Sequence, residues 1–261
     1  MPERTTGPAE GSLDGRVAVV TGGSKGIGRG VAERLATAGA QVVIIGRDAV
    51  AGREAAREIS GTTPGAAGYL QADISDSGQL TAAFDEIRRT HQRVDLAFNN
   101  AGISRGGSIA DLKEEDFDAC FDVNAKGLWL CMRHELALMR EQGHGSIVNN
   151  TSVHGFRAVF PGVAAYIASK HAAVALTRVA AMENAAEGIR VNGIAPGPID
   201  TEMLRASEST VGGTAVWQRL IPTGRVGTVE EVASLVQWLL SDEASYVNGQ
   251  VVAVDGGFLA T

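Results

Sequence analysis

Short Val- and Ile-rich runs alternate along the chain with longer Ala-rich stretches whose apolar residues recur every three to four positions. This is the pattern of strand–helix–strand units in a parallel sheet. Strand-length runs occur at 16–20, 41–45, 68–71, 94–98, 146–150, 190–194 and 250–254, and helical periodicity covers 26–38, 49–59, 76–91, 112–141, 164–187 and 229–240. Gly39, Gly61, Gly143 and Gly188 follow helices where a left-handed residue is wanted, and Asp76 and Thr228 stand at N-cap positions. Right-handed crossovers then stack helices on both faces of one twisted, doubly wound sheet.

The stretch 196–227 breaks this rhythm with Gly212-Gly213, many hydroxyl residues and scattered Met203, Leu204, Trp217 and Leu220. In a doubly wound sheet ligands sit beyond the carboxyl ends of the strands, so an insertion after the sixth strand is a candidate substrate lid. Residues 1–12 are expected to be a disordered tail, and no apolar stretch for a secretory signal occurs before Arg16. The remaining 13–261 read as one α/β domain, with no internal repeat or linker.

Composition narrows the function classes. The 261 residues are 44% apolar, enough for a sizeable core, and carry a net charge of −7 without a basic run. Nucleic acid and anionic membrane are therefore poor partners, and every apolar run ends well short of the ~20 residues needed to span a bilayer. Cys120 and Cys131 fall in one predicted helix, roughly 16 Å apart at ~1.5 Å per residue, too far for a disulfide. Unpaired thiols without an export signal favour the cytoplasm. No metal is expected.

Directly after the first strand comes Thr21-Gly22-Gly23-Ser24-Lys25-Gly26-Ile27-Gly28, leading into a helix. Glycines allow a tight turn and close backbone approach, and a helix N-terminus offers free N–H groups to a pyrophosphate. The spacing differs from the commoner Gly-x-Gly-x-x-Gly fingerprint, so its company matters. Asn99-Asn100-Ala101-Gly102 follows the fourth strand, Ser152 ends the fifth, and Tyr166-Ile167-Ala168-Ser169-Lys170 begins fourteen positions after Ser152.

In this order the motifs make the chain, from about residue 13 onward, resemble the short-chain dehydrogenase/reductase family. Asp73, Asn124, Pro196-Gly197 and Asp255-Gly256-Gly257 add to the likeness. The resemblance implies a Rossmann-type fold with seven parallel strands. It implies cofactor contacts in the glycine loop (Gly22, Ser24, Lys25, Gly26, Ile27, Gly28), after the second and third strands (Arg47, Asp73, Ile74) and after the fourth (Asn100, Ala101, Gly102). Further contacts fall at Tyr166 and Lys170 and after the sixth strand (Pro196, Gly197, Ile199, Thr201).

A phenol with an ordinary pKa near 10 is a poor base, so a proton-shuttling tyrosine needs a cation nearby. Lys170, four residues on and sharing a helix face, is the expected supplier and should depress the Tyr166 pKa. Ser152 would hold the substrate oxygen against Tyr166. In the family the lysine also binds the nicotinamide ribose, and Asn124 holds a water linking Lys170 to solvent. The Tyr–Lys spacing is shorter than in enoyl reductases, which favours carbonyl chemistry. Sugar epimerases and dehydratases share the Tyr–Lys spacing but usually carry a C-terminal substrate domain, for which no room is expected in 261 residues.

Cofactor choice is read at the end of the second strand, where an acid selects NAD(H) and a cation selects NADP(H). Gly46 stands at the acid's place, and Arg47 with Lys25 could grip a 2′-phosphate, which favours NADP(H). Asp48 keeps NAD(H) open.

Substrate contacts are expected at Ser104, Ser152, His154, Phe160 and Trp217, with Ile103, Val153, Phe156, Met203 and Leu204 beside them. This mostly apolar set suits a small hydrophobic or cyclic ketone or alcohol. Family members that reduce 3-oxoacyl chains bind an acyl carrier protein through arginines near the active-site mouth. Gly143 and Glu187 stand at those places here, which argues against a 3-oxoacyl-carrier-protein reductase. A non-catalytic NADP-binding regulator would keep the loop but lose Ser152, Tyr166 and Lys170. Assembly as a homotetramer or dimer, through the helices at 112–141 and 164–187, is what the likeness implies.

Overall fold

The computed structural model describes residues 12–211 and 214–261. The described strands form one parallel sheet in the order β3-β2-β1-β4-β5-β6-β7. They are β1 (Val17–Thr21), β2 (Gln41–Gly46), β3 (Ala67–Gln71), β4 (Leu96–Asn99), β5 (Gly145–Asn150), β6 (Ile189–Pro196) and β7 (Val251–Val254). The helices between them are α1 (Gly26–Thr37), α2 (Ala49–Thr62), α3 (Ser77–His91), α4 (Glu114–Phe121), α5 (Leu128–Gln142) and α6 (Ala164–Asn184). After β6 come α7 (Glu202–Val211), α8 (Thr214–Leu220) and α9 (Val229–Leu240).

Successive strand side chains point to opposite faces, so each strand feeds two cores. Val17, Val19, Ala97, Ile147 and Val191 face α3, α5 and α6, meeting Leu80, Ile87, Leu138 and Ala173. Ala18, Val20, Ile44, Phe98 and Ile194 face α1, α2 and α9, meeting Val31, Leu35, Ile59 and Val236. Burial on both sides is why these strands read as unbroken apolar runs. The edge strand β3 is only half-buried.

Most helix signals act as expected. Asp76 accepts from the Gly78 and Gln79 N–H groups, Thr228 forms a capping box with Glu231, and Gly39, Gly143 and Gly188 take positive φ of 98°, 73° and 74°. Gly61 does not end its helix: α2 runs through it to Thr62 and stops at Thr63, whose hydroxyl bonds the Ile59 carbonyl at 2.8 Å. The helix expected over 112–141 is three segments, α4 and α5 being joined by a π-helical turn at Asp122–Gly127. A Cβ on Gly127 would lie 2.9 Å from two Ile74 side-chain atoms, so glycine lets this turn seat against the segment after β3.

The expected tail at 1–12 lies outside the described residues except for Ser12. Leu13 is already core, 3% exposed, and its N–H donates to the Ala38 carbonyl. Cys120 and Cys131 are buried free thiols. Among the described residues, no helix is long and apolar enough to cross a membrane.

Candidate active site

The winding direction reverses between β1 and β4, and the crevice beyond their carboxyl ends is where a doubly wound sheet holds ligands. Side chains lace this edge together. The Thr21 hydroxyl accepts the N–H groups of Asn100 and Ala101 at 3.0 and 3.1 Å. Asn100 Nδ2 donates to the carbonyls of Thr21 and Gly22 at 3.2 Å each, and Asn150 Nδ2 donates to Asn100 Oδ1 at 2.9 Å.

The glycine loop leaves room only for backbone. Gly22 and Gly26 have φ of 65° and 54°. A Cβ on Gly28 would fall 2.3 Å from the Gly22 carbonyl oxygen and 2.5 Å from Asn100 Nδ2. No side chain caps α1, so its first-turn N–H groups face the loop unclaimed. An uncapped helix start under a bare backbone cradle fits a dinucleotide pyrophosphate.

A cavity of about 1160 Å³ extends from Arg47, Asp73 and Ile74 past this loop to Ser152, Tyr166 and Lys170. Every position expected to touch cofactor lines it except Gly28, which packs beneath the loop.

At the far end the Ser152 hydroxyl accepts the His154 N–H at 3.1 Å and lies close enough to the Tyr166 phenol to lower its pKa. Lys170, 5% exposed, donates to the Asn150 carbonyl oxygen at 2.8 Å, and its Nζ lies 5.6 Å from the Tyr166 ring centroid. Burial lowers the lysine to about 8. The expected depression of the Tyr166 pKa is not present here. Burial pushes the phenol up, opposed by the nearby Ser152 hydroxyl and reinforced by the Cys120 thiol.

Asn124 is 2% exposed in the π turn and lies behind the cavity wall. Its Nδ2 donates to the Ile103 carbonyl at 2.8 Å and to the Ser169 hydroxyl at 3.0 Å, and its Oδ1 accepts the Ile103 N–H at 2.9 Å. It clamps the segment after β4 to α6.

The part of the cavity expected to meet substrate is lined by large apolar side chains. Phe160 meets Trp217 edge-on at 4.9 Å, and Trp217 packs with Phe258, Val153 and Ile221 in a small separate core. His154 stands edge-on to Tyr166 at 5.8 Å, and burial, helped by the charge of His171, lowers it to about 4, so it is neutral. Ser104 lines the cavity, but Phe156 does not. Phe156 ends a single 3₁₀ turn after Ser152 and is 39% exposed.

A family model described as Enoyl-(Acyl carrier protein) reductase matches residues 22–259. A crystal structure of a short-chain type dehydrogenase/reductase from Mycobacterium marinum superposes with a TM-score of 0.90 at 35% identity, over 95% of this chain and 97% of that one. The chain belongs to the short-chain dehydrogenase/reductase family. It is 39% identical over 251 residues to a 2,5-dichloro-2,5-cyclohexadiene-1,4-diol dehydrogenase of Sphingobium indicum, covering 95% of this chain and 98% of the relative. The crystal structure of levodione reductase matches with a TM-score of 0.91 at 35% identity, covering 95% and 99%. Like its family, the protein is a nicotinamide-dependent oxidoreductase.

At the Arg47 end of the cavity, two pairings are not those the sequence led one to expect. Asp48, which had left NAD(H) open, is the N-cap of α2: its Oδ1 accepts the N–H groups of Val50 and Ala51 at 3.0 and 3.1 Å. Lys25 pairs with Glu202 of α7 at 2.9 Å, joining glycine loop to insertion. Arg47 is 63% exposed and only loosely paired with Asp73 at 3.6 Å. Burial would raise Asp73, but bonds from the Ser75 hydroxyl and N–H, with Arg47 nearby, hold it below the usual range.

Sequence reasoning missed Asn150 because its contribution is a carbonyl that any residue has, and Glu202 because nothing local pairs it with Lys25. Gly143 and Glu187 need correction. They sit at the amino-terminal ends of β5 and β6, across the sheet from Ser152, so their identities say nothing about this chain's own cleft mouth.

Proposed function

We propose that the protein is an NADP(H)-dependent dehydrogenase/reductase acting on a carbonyl or secondary alcohol of a small cyclic, largely apolar molecule. The observation that carries this reading is the convergence of Ser152, Tyr166 and Lys170 at one end of a single cavity whose other end presents Arg47. Bound NADP(H) would supply or accept the hydride. The Ser152 hydroxyl would hold the substrate oxygen. Tyr166 would donate its phenolic proton to that oxygen in reduction and withdraw it in oxidation, with Lys170 stabilising the phenolate. Both amide hydrogens of Asn124 are engaged, so a water relaying protons from Lys170 would be held by its carbonyl oxygens.

The apolar wall formed by Phe160, Trp217 and Val153 supports a cyclic substrate. Two buried polar atoms in that wall, His154 Nδ1 and Trp217 Nε1, have no partner among the described residues. A second oxygen on the substrate would offer one, if α7 and α8 settle as a lid. The diol and dione relatives are named for substrates of that kind. For NADP(H), the support is that Asp48 is spent on capping α2 while Arg47 stays exposed. A carrier-bound acyl substrate is disfavoured by the net charge of −7.

Exposed Phe117 and Trp129 on the α4–α5 side, with Val179 and Met182 on α6, support a dimer or tetramer built on these helices. Two buried free thiols support a reducing compartment such as the cytoplasm. The test is a panel of cyclic ketones, diketones and secondary alcohols, followed by reduced-nicotinamide absorbance with each cofactor. Turnover of cyclic substrates with NADPH is expected. Turnover confined to NADH or to carrier-bound chains would overturn the reading.

A further inference from the structure

Beneath the site lies a buried polar cluster that the reaction above does not use. Glu135 on α5 is fully buried, on the face of the helix turned to the sheet. Asn99, the last residue of β4, donates from Nδ2 to Glu135 Oε2 at 2.9 Å and to Asn149 Oδ1 at 3.1 Å. Asn149 of β5 donates to the Thr177 hydroxyl of α6 at 3.0 Å, and Thr177 donates onward to the Ala173 carbonyl. Among the described residues, two atoms of the cluster are buried without a partner, Glu135 Oε1 and Asn99 Oδ1.

Both orphans are acceptors when Glu135 is ionised, and they belong to two residues already joined by one hydrogen bond. A single proton on Oε1 turns one of them into a donor and satisfies both. An ionised carboxylate here would face only neutral groups: the Asn99 and Asn149 amides from the strands, the Thr177 hydroxyl from α6, and the Cys131 thiol one turn earlier on α5. The titratable side chains near it on α5 and α3 have other partners. His134 stacks on Phe84 of α3, and Arg88 of α3 pairs with Glu141 at the end of α5. Burial accordingly raises Glu135 to about 8.

The cluster lies one residue beneath the working parts. Asn99 precedes Asn100, which bonds the glycine loop, and Asn149 precedes Asn150, whose carbonyl holds Lys170. We propose that Glu135 is a positioning residue held as a neutral acid. Its Oε1–H donates to Asn99 Oδ1 while Asn99 Nδ2 donates back to Oε2, and this reciprocal pair fixes the height at which β4 and β5 present Asn100 and Asn150.

The folded protein then keeps a proton that the unfolded chain loses near pH 4.3. Stability must therefore fall as pH rises from that value to about 8, and level off beyond it. Glutamine reproduces the neutral acid atom for atom, donating from its NH₂ and accepting at its oxygen. Glu135→Gln is expected to melt with wild type near pH 5 and roughly 5 °C or more above it at pH 8. It should lose an infrared carboxylic-acid C=O band that wild type shows at neutral pH. It should also retain the kcat/KM that Glu135→Ala loses by ~10-fold or more. Melting curves that stay parallel from pH 5 to 8, or a wild type without that band, would overturn the proposal. Because the comparison is between wild type and Gln, it holds even if the Ala variant does not fold.

Discussion

The ammonium of Lys170 donates to the carbonyl oxygen of Asn150, the last residue of β5, at 2.8 Å. Ser152 lies two residues further along the same chain, so one strand end sets both the hydroxyl and the cation around Tyr166. The lysine is buried and lowered to about 8, which makes its charge titrate in an accessible range. Above that value the phenolate loses its stabilising cation, and kcat/KM for carbonyl reduction is expected to fall with a limb near pH 8. Lys170→Met should remove the limb and lower kcat/KM about 100-fold or more. It should not lower Tm, because burying that charge costs stability below pH 8. A pH–rate profile and thermal melts of both proteins check this.

Tyr166→Phe removes the proton donor and leaves the ring that packs against His154 at 5.8 Å. Turnover is expected to fall by about 10² to 10⁴ while the dissociation constant for NADPH changes little. Stopped-flow turnover and cofactor titration by fluorescence separate the two. Full activity in the phenylalanine variant would assign the proton transfer to another group.

The architecture, and the gathering of the glycine loop, Tyr166 and Lys170 along one cavity, were legible because they rest on local signals: apolar runs buried on two faces, a glycine loop before a helix, and a Tyr and Lys four apart. What was not legible depended on partners distant in sequence. Asp48 reads equally as a ribose ligand or a cap until α2 starts beside it. The π turn at Asn124 interrupts a pattern that is apolar enough to continue as one helix, and the turn is held by Ile103 and Ser169 from other elements. Glu135 looks like a solvated helix residue until β4 brings Asn99 to it. Gly61 shows the converse: a glycine signals a helix end only if no later residue caps better, and Thr63 does.

Arg47 is the exposed cation at the end of β2, with no acid at Gly46 to repel a 2′-phosphate. Replacing it with Ser should raise KM for NADPH by roughly 10- to 100-fold, the worth of a charge-assisted hydrogen bond, and leave KM for NADH nearly unchanged. Steady-state kinetics with both cofactors measure the ratio. An equal rise for both would move the 2′-phosphate contact elsewhere.

Asp95 is 0% exposed and accepts from the Val17 N–H at 2.8 Å and from Arg93 at 2.8 and 2.5 Å, with His144 Nε2 at 3.0 Å. Burial alone would raise its pKa, but the bonds from Arg93, Val17 and His144 outweigh it and hold the carboxyl below its ordinary value. The stability it contributes is therefore present above the ordinary carboxylate value and lost as pH falls through the lower folded one. Asp95→Asn should cost about 2 kcal/mol at neutral pH, roughly 4–8 °C in Tm, since Arg93 is half-exposed and re-solvates. The gap to wild type should close below about pH 4.

Gly28 lines no part of the cavity, yet it should be the most sensitive position in the cofactor loop. A methyl group there would meet the Gly22 carbonyl oxygen at 2.3 Å and Asn100 Nδ2 at 2.5 Å, both of them parts of the lacing that ties β1 to β4. Neither can retreat without opening the turn, because the Asn100 side chain is also held by Asn150 at 2.9 Å. Gly28→Ala is thus expected to weaken NADPH binding by about 100-fold or more, through displaced backbone N–H groups rather than any lost side chain. The sheet core beneath is untouched, so Tm should fall by only a few degrees. Isothermal titration alongside a melt distinguishes this from general unfolding. Near-normal affinity in the alanine variant would mean that the loop can relax and that its glycine spacing is not what binds the pyrophosphate.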